Sequence, residues 1–194
     1  GENVRFEIRV AGEDPARWEA AARELAGARV DVILALGTHM ALAAKRATGS
    51  VPIVMMLSGY PVEAGLVASL ARPGSNVTGL RTYADGIWGK YIELLRETVP
   101  TLRELGLLSD YAPPAFPESE FQAAMSDFRR AAELLGVRLR VWEIRTDADL
   151  SHALGEVDVA PVQALFVTGG PILGQPRNVS RLREFLLRRK LPMM

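Results

Sequence analysis

Four short stretches of this chain place polar, donor-bearing residues directly after apolar runs: Gly37-Thr38-His39, Ser58-Gly59-Tyr60-Pro61, Ser109-Asp110-Tyr111 and Thr168-Gly169-Gly170-Pro171. If each run is a strand of an open parallel sheet, the residues after it lie at the carboxyl end, where such sheets bind ligands. The chemistry on offer there is recognition. Gly37 and Thr38 open an Ala-rich helical pattern, so free backbone N–H groups and the positive end of the helix dipole favour a carboxylate. The Thr38 hydroxyl either adds a donor to that site or only caps the helix. His39 either joins it or is solvated in the first turn. Tyr60 can stack on a ring or donate one hydrogen bond; otherwise it packs as a turn residue. Asp110 offers a carboxylate, or is a polar turn residue. Gly169 and Gly170 let a ligand approach backbone N–H groups closely, or form an ordinary tight turn. Tyr83, near a presumed crossover between two halves of the chain, is an additional candidate.

Catalysis finds no comparable pattern. The sequence has no G-x-S-x-G elbow, no H-E-x-x-H, no P-loop and no G-x-G-x-x-G. Its two histidines are His39 and His152, and His152 falls in a charged helical stretch expected to be exposed. Asp147 and Asp149 read as a helix start rather than a metal pair. The chain has no cysteine, which excludes disulfides, thiolate metal sites and cysteine nucleophiles. No cofactor is expected. Lys+Arg and Asp+Glu both number 23. The zero net charge supplies no basic face for nucleic acid and no draw toward an anionic membrane surface. The longest apolar runs, such as residues 30–36, are far too short to span a bilayer.

The elements that must position these residues alternate between strand and helix from start to finish. Residues 4–10 alternate apolar and charged side chains, as a half-exposed strand near a sheet edge does. Asp14-Pro15 starts a helix, with Trp18, Ala21, Ala22 and Leu25 on one face. Residues 30–36 are nearly all apolar and read as a central parallel strand covered on both faces. A helix over 39–48, a buried strand over 51–57, a short helix over 64–70 and a strand over 76–82 follow. The second half repeats the rhythm. It has helices over 86–98, 118–135, 147–157 and 179–189, and strands over 105–109, 138–144 and 164–167. Trp88, Ile92 and Leu95 line one side of the first of these helices, and Gly136 stops the second. Residues 111–117 are an irregular loop, and residues 191–194 look like the start of a further strand. The fold class is therefore α/β, with two doubly wound parallel-sheet lobes. Residues 1–83 form the first and 84–194 the second, with the crossover at Tyr83-Ala84-Asp85.

Several stretches carry a family resemblance. Leu70-Ala71-Arg72-Pro73-Gly74-Ser75-Asn76-Val77-Thr78-Gly79-Leu80 is the most specific. Residues 30–38 with Ala41 to Ala47 are a second match, and Pro52-Ile53-Val54 followed by Pro61-Val62 and Gly65-Leu66-Val67 a third. A fourth is Gly89-Lys90 with Glu93-Leu94-Leu95 and Val99-Pro100. The chain resembles the ABC-transporter substrate-binding family that includes tryptophan- and tyrosine-type uptake binding proteins. The match covers residues 16–100 continuously and the second half more loosely, through Ala131-Ala132-Glu133-Leu134-Leu135-Gly136-Val137.

The resemblance implies a type I periplasmic-binding-protein fold with its ligand in an interlobe cleft. It implies an extracytoplasmic component of an ABC importer, periplasmic or lipid-anchored in its precursor, that delivers a small organic ligand to permease subunits. An amino acid or a related carboxylate is the expected ligand. The family usually has an Asp before the Pro of the second stretch, suited to a ligand ammonium; here Tyr60 stands there, which puts amino-acid specificity in doubt. The family pattern also extends beyond both ends of this chain. The first lobe would lack its initial strand and helix, which leads to the expectation of a homo-oligomer built on that lobe. A ligand-sensing domain of a regulator with the same fold and a small α/β enzyme are the alternatives.

Overall fold

The computed structural model describes residues 3–12, 14–110 and 116–194. It divides into two compact units, Gly1–Ala84 and Asp85–Met194. The first contains α1 (Pro15–Gly27), β1 (Ile33–Leu36), α2 (Thr38–Ala47), β2 (Ile53–Ser58) and β3 (Val77–Arg81). The second contains α3 (Ile87–Thr98), β4 (Glu104–Ser109), α4 (Glu118–Leu134), β5 (Arg138–Glu143), α5 (Asp147–Val159), β6 (Ala164–Val167) and α6 (Pro176–Arg189). Each unit holds a three-stranded sheet, ordered β1-β2-β3 in the first and β5-β4-β6 in the second. All four strand pairings are parallel.

The second unit is covered on both sheet faces. On one, Trp88 and Tyr91 of α3 and Phe128 of α4 meet Phe166 of β6, with Phe128 and Phe166 centroids 5.1 Å apart and Trp88 and Phe128 5.2 Å apart. On the other, Leu108, Ile144 and Leu165 pack with Leu150, Ala153 and Val157 of α5 and Leu182, Phe185 and Leu186 of α6. Leu165 and Phe166 are neighbours in sequence and serve opposite faces, as strand alternation requires. Each fully buried side chain of this size contributes about 1.5–3 kcal/mol. Gly106 lies in the middle of β4, where a Cβ would stand 2.4 Å from Leu165. The Leu165 and Trp142 side chains of the neighbouring strands already fill the space a side chain would take there.

The first unit is covered on one face. Ile33, Ala35, Ile53, Met55 and Val77 pack with Ala41 and Ala44 of α2, Leu66 and Val67, and Leu25 of α1. The intervening side chains Leu34, Leu36 and Leu80 are exposed. Residues 30–36 therefore differ from the expectation of a doubly covered central strand: β1 alternates buried and exposed residues and pairs with β2 alone among the described residues. Two further expectations are corrected. Residues 4–10 carry no strand assignment and have Val4, Phe6, Ile8 and Val10 exposed. The alternation marks a strand-forming sequence, but a strand also needs a partner edge. Residues 64–70 form turns rather than a helix. There Pro61 O accepts the N–H groups of both Leu66 and Val67, and Lys45 Nζ donates to the Gly65 and Leu66 carbonyls. At the other end, Met194 N–H donates to Leu165 O and Leu165 N–H to Pro192 O, so residues 192–194 run parallel beside β6.

Candidate functional site

Because the strands of each sheet are parallel, the residues following β1, β2 and β3 lie along one edge of the first sheet. Those following β4 and β6 do the same in the second. At the first edge, Gly37 adopts φ +89°, a conformation that favours glycine. It caps α2 without any side-chain hydrogen bond. Thr38, next in the chain, does not cap its own helix. Its Oγ1 lies 3.1 Å from Ser58 Oγ, joining the loops after β1 and β2. Thr38 is 5% and Ser58 0% exposed. The first N–H groups of a helix have no partner within it, so this end of α2 combines them with two buried hydroxyls, a donor-rich setting suited to a carboxylate.

Ser58 reaches this position through a β-bulge. The register of β2 against β3 shifts between Met55 and Ser58, and Leu57 adopts φ +57° with its side chain exposed. Putting a non-glycine residue in the left-handed region costs about 1–2 kcal/mol. The result turns Leu57 outward and Ser58 inward. Gly59 and Tyr60 are also buried. The Tyr60 ring is 6.0 Å from that of Tyr83, at 45°, so the loops after β2 and β3 are joined by an aromatic pair. His39 takes a different course: it stacks on Trp18 of α1 at 4.6 Å. Its Nε2 is buried and lacks a hydrogen-bond partner among the described residues.

In the second unit, Ser109 and Asp110 follow β4, and both are buried. The Asp110 N–H donates to Thr168 Oγ1 at 2.9 Å, lacing the end of β4 to the end of β6. Gly169 is exposed. Tyr111 lies outside the described residues. No group of three or more His, Cys, Asp or Glu side chains suited to a metal is found among the described residues. A concavity of about 270 Å³ lies between α5 and α6, lined by Leu154, Asp158, Arg181, Glu184, Phe185 and Arg188. It is remote in the fold from the strand ends and is bordered by charged, solvated side chains. His152 is exposed, with Nδ1 3.5 Å from Glu156 Oε1, and Asp147 and Asp149 stand in the first turn of α5.

Sequence reasoning picked out Thr38 and Ser58 separately but not their hydrogen bond. Two hydroxyl residues at corresponding strand ends were the available signal. It missed the Trp18–His39 stack entirely. The bulge at Leu57 has no local signal, since leucine is a poor choice for positive φ.

Parallel βα units, with glycine and hydroxyl residues at the carboxyl ends of their strands, define an α/β class of protein whose strand ends are suited to receiving a ligand. The family described as ABC transporter substrate binding protein matches residues 1–168, and the chain belongs to it. A tyrosine-binding protein of Clostridioides difficile (strain R20291) is 27% identical over 188 residues, 94% of this chain and 52% of the relative. The chain thus spans about half the length of that curated relative. A crystal structure of a conserved domain protein from Vibrio cholerae O1 superposes with TM-score 0.81 at 25% identity, covering 100% of this chain and 62% of the other. The ABC domain from Streptococcus pneumoniae in complex with L-Trp superposes with TM-score 0.75 at 20% identity, over 93% and 58% of the respective chains, a likeness of fold. The family is one of substrate-binding proteins rather than enzymes, and the curated relative is described as a binding protein.

Proposed function

We propose that the protein is the extracytoplasmic substrate-binding component of an ABC importer. In this reading it takes a small organic carboxylate, an amino acid or a relative of one, in a cleft between two lobes, and delivers it to permease subunits. The carrying observation is the buried Thr38–Ser58 hydroxyl pair at the uncapped start of α2. The ligand carboxylate would be held there, and Tyr60 with Tyr83 would give an apolar part of the ligand an aromatic wall. Closure of the two lobes, divided near residue 84, would signal occupancy to the transporter. The C. difficile relative's description as tyrosine-binding and the neighbour crystallised with L-Trp support a ligand of this class.

The same reading includes self-association through the first unit. Leu34 and Leu36 are each 61% and Leu80 71% exposed on one sheet face, beside the edge of β1 that has no strand partner among the described residues. Apolar faces and open strand edges both drive association.

Calorimetric titration of the protein with the amino acids and with simple aromatic and aliphatic carboxylates tests the proposal. A 1:1 complex with at least one carboxylate, weakened by Thr38→Val, is expected. Binding restricted to ligands with no anionic group would overturn it.

A further inference from the structure

The turn after β6 is built on one buried carboxylate. Asp110 is 3% exposed, and its Oδ2 accepts the Ile172 N–H at 2.6 Å and the Leu173 N–H at 2.7 Å. A Cβ on Gly170 would stand 2.6 Å from the Asp110 carboxyl carbon and 2.8 Å from its carbonyl oxygen. Glycine at position 170 is therefore dictated by Asp110 rather than by an approaching ligand. Around Gly169, by contrast, nothing lies within 4 Å of where a Cβ would be. The far side of the turn is fastened by Asn178, which is 0% exposed. Its Nδ2 donates to Ile172 O at 2.9 Å and to Asp147 Oδ1 at 2.7 Å. Gln175 Nε2 adds a bond to Pro171 O at 2.9 Å.

A carboxylate oxygen that receives two short N–H bonds from its own chain is held in place by them. Asp110 is buried, which leaves little of its carboxylate open to a ligand, and turning Oδ2 toward a ligand ammonium would break both the Ile172 and the Leu173 N–H bonds, a loss comparable to what the new pair would gain. We propose that Asp110 is a positioning residue. Its carboxylate sets the shape of residues 168–173, so that the exposed Gly169 peptide is presented to the ligand, and it does not itself pair with a ligand cation. This rests on the carboxylate-binding reading above and sharpens it. An amino acid and its desamino twin depend on Asp110 to the same degree.

The test compares Asp110→Asn, Asp110→Ala and Gly170→Ala with wild type. Calorimetry follows the ligand pairs phenylalanine with 3-phenylpropionate and tyrosine with 3-(4-hydroxyphenyl)propionate. Amide hydrogen exchange follows Ile172 and Leu173. Asn keeps a neutral acceptor oxygen in the same place, so Asp110→Asn should stay within about threefold of wild type. Asp110→Ala should lose tenfold or more, shifting both members of each pair by the same factor and releasing the two amides to faster exchange. Gly170→Ala, which disturbs the same contact from the other side, carries the test if Asp110→Ala does not fold. A selective loss of the amino acid in Asp110→Asn, with the desamino twin unaffected, would show a counter-ion and overturn the proposal. So would unchanged affinities and unchanged exchange in Asp110→Ala. A wild-type protein that bound neither these pairs nor any other amino acid or carboxylate would overturn the carboxylate reading and this role together, an outcome distinct from a shifted ratio.

Discussion

Thr38 and Ser58 illustrate how burial pairs two ordinary residues from different strand ends. In solvent, either hydroxyl would exchange freely with water; here each is more than nine-tenths buried and their oxygens lie 3.1 Å apart. A buried hydroxyl that loses its partner carries a cost of about 1–3 kcal/mol. Replacing Thr38 with Val keeps the shape and removes the donor, so carboxylate affinity should fall about tenfold by calorimetry. The Trp18–His39 stack should be left intact, readable as unchanged tryptophan fluorescence. An affinity equal to that of wild type would remove Thr38 from the site.

At the scale of the element, the bulge in β2 and the cap of α5 each make a claim on stability. Leu57 at φ +57° should be relieved by glycine and made worse by a β-branched side chain. Leu57→Gly is expected to range from neutral to about 1 kcal/mol stabilising, and Leu57→Val to destabilise by about 1 kcal/mol or more. Urea midpoints would give both values, and a stabilising Val would argue against the left-handed geometry. At the start of α5, Thr146 Oγ1 accepts the Asp149 N–H, while Asp149 Oδ2 accepts the Arg145 N–H. Hydrogen bonding to the Asp149 carboxylate, from the Thr146 side chain first and the Arg145 backbone N–H second, holds that carboxyl below its ordinary value. A depressed folded pKa stabilises the protein above the unfolded value of about 4 and loses that effect as pH falls through the lower folded value. Asp149→Asn should therefore flatten the acid limb of a stability–pH curve below about pH 4. An acid limb identical to wild type would mean that the cap does not titrate with folding.

For the molecule as a whole, the two units differ in how completely their sheets are covered. In the second, aromatic side chains close one face and α5 with α6 close the other. In the first, Leu34, Leu36 and Leu80 stay open to solvent. If that face drives association, Leu34→Lys combined with Leu80→Lys should shift the protein toward monomer in sedimentation velocity and leave its ligand affinity unchanged. A wild-type protein that is already monomeric at tens of micromolar would count against self-association through this face.

The rhythm of strand and helix was legible because hydrophobic period reports which side of an element meets a core. Residues 53–58, 87–98, 118–134 and 164–167 needed nothing beyond their own pattern and stop signals. The carboxyl-end rule likewise led to Thr38, Ser58 and Asp110, because a parallel strand fixes which of its ends carries the loop. Tertiary structure alone decided what those side chains do. It turned Thr38 away from its own helix to Ser58, spent the Asp110 oxygen on Ile172 and Leu173, and set His39 on Trp18. Among the described residues it also left residues 4–10 without a strand and β1 without a second neighbour. The physical reason is common to all of these. Periodicity is a property of one segment, whereas a hydrogen-bond partner, a covering face or a pairing edge must come from another, and no segment's own residues specify which.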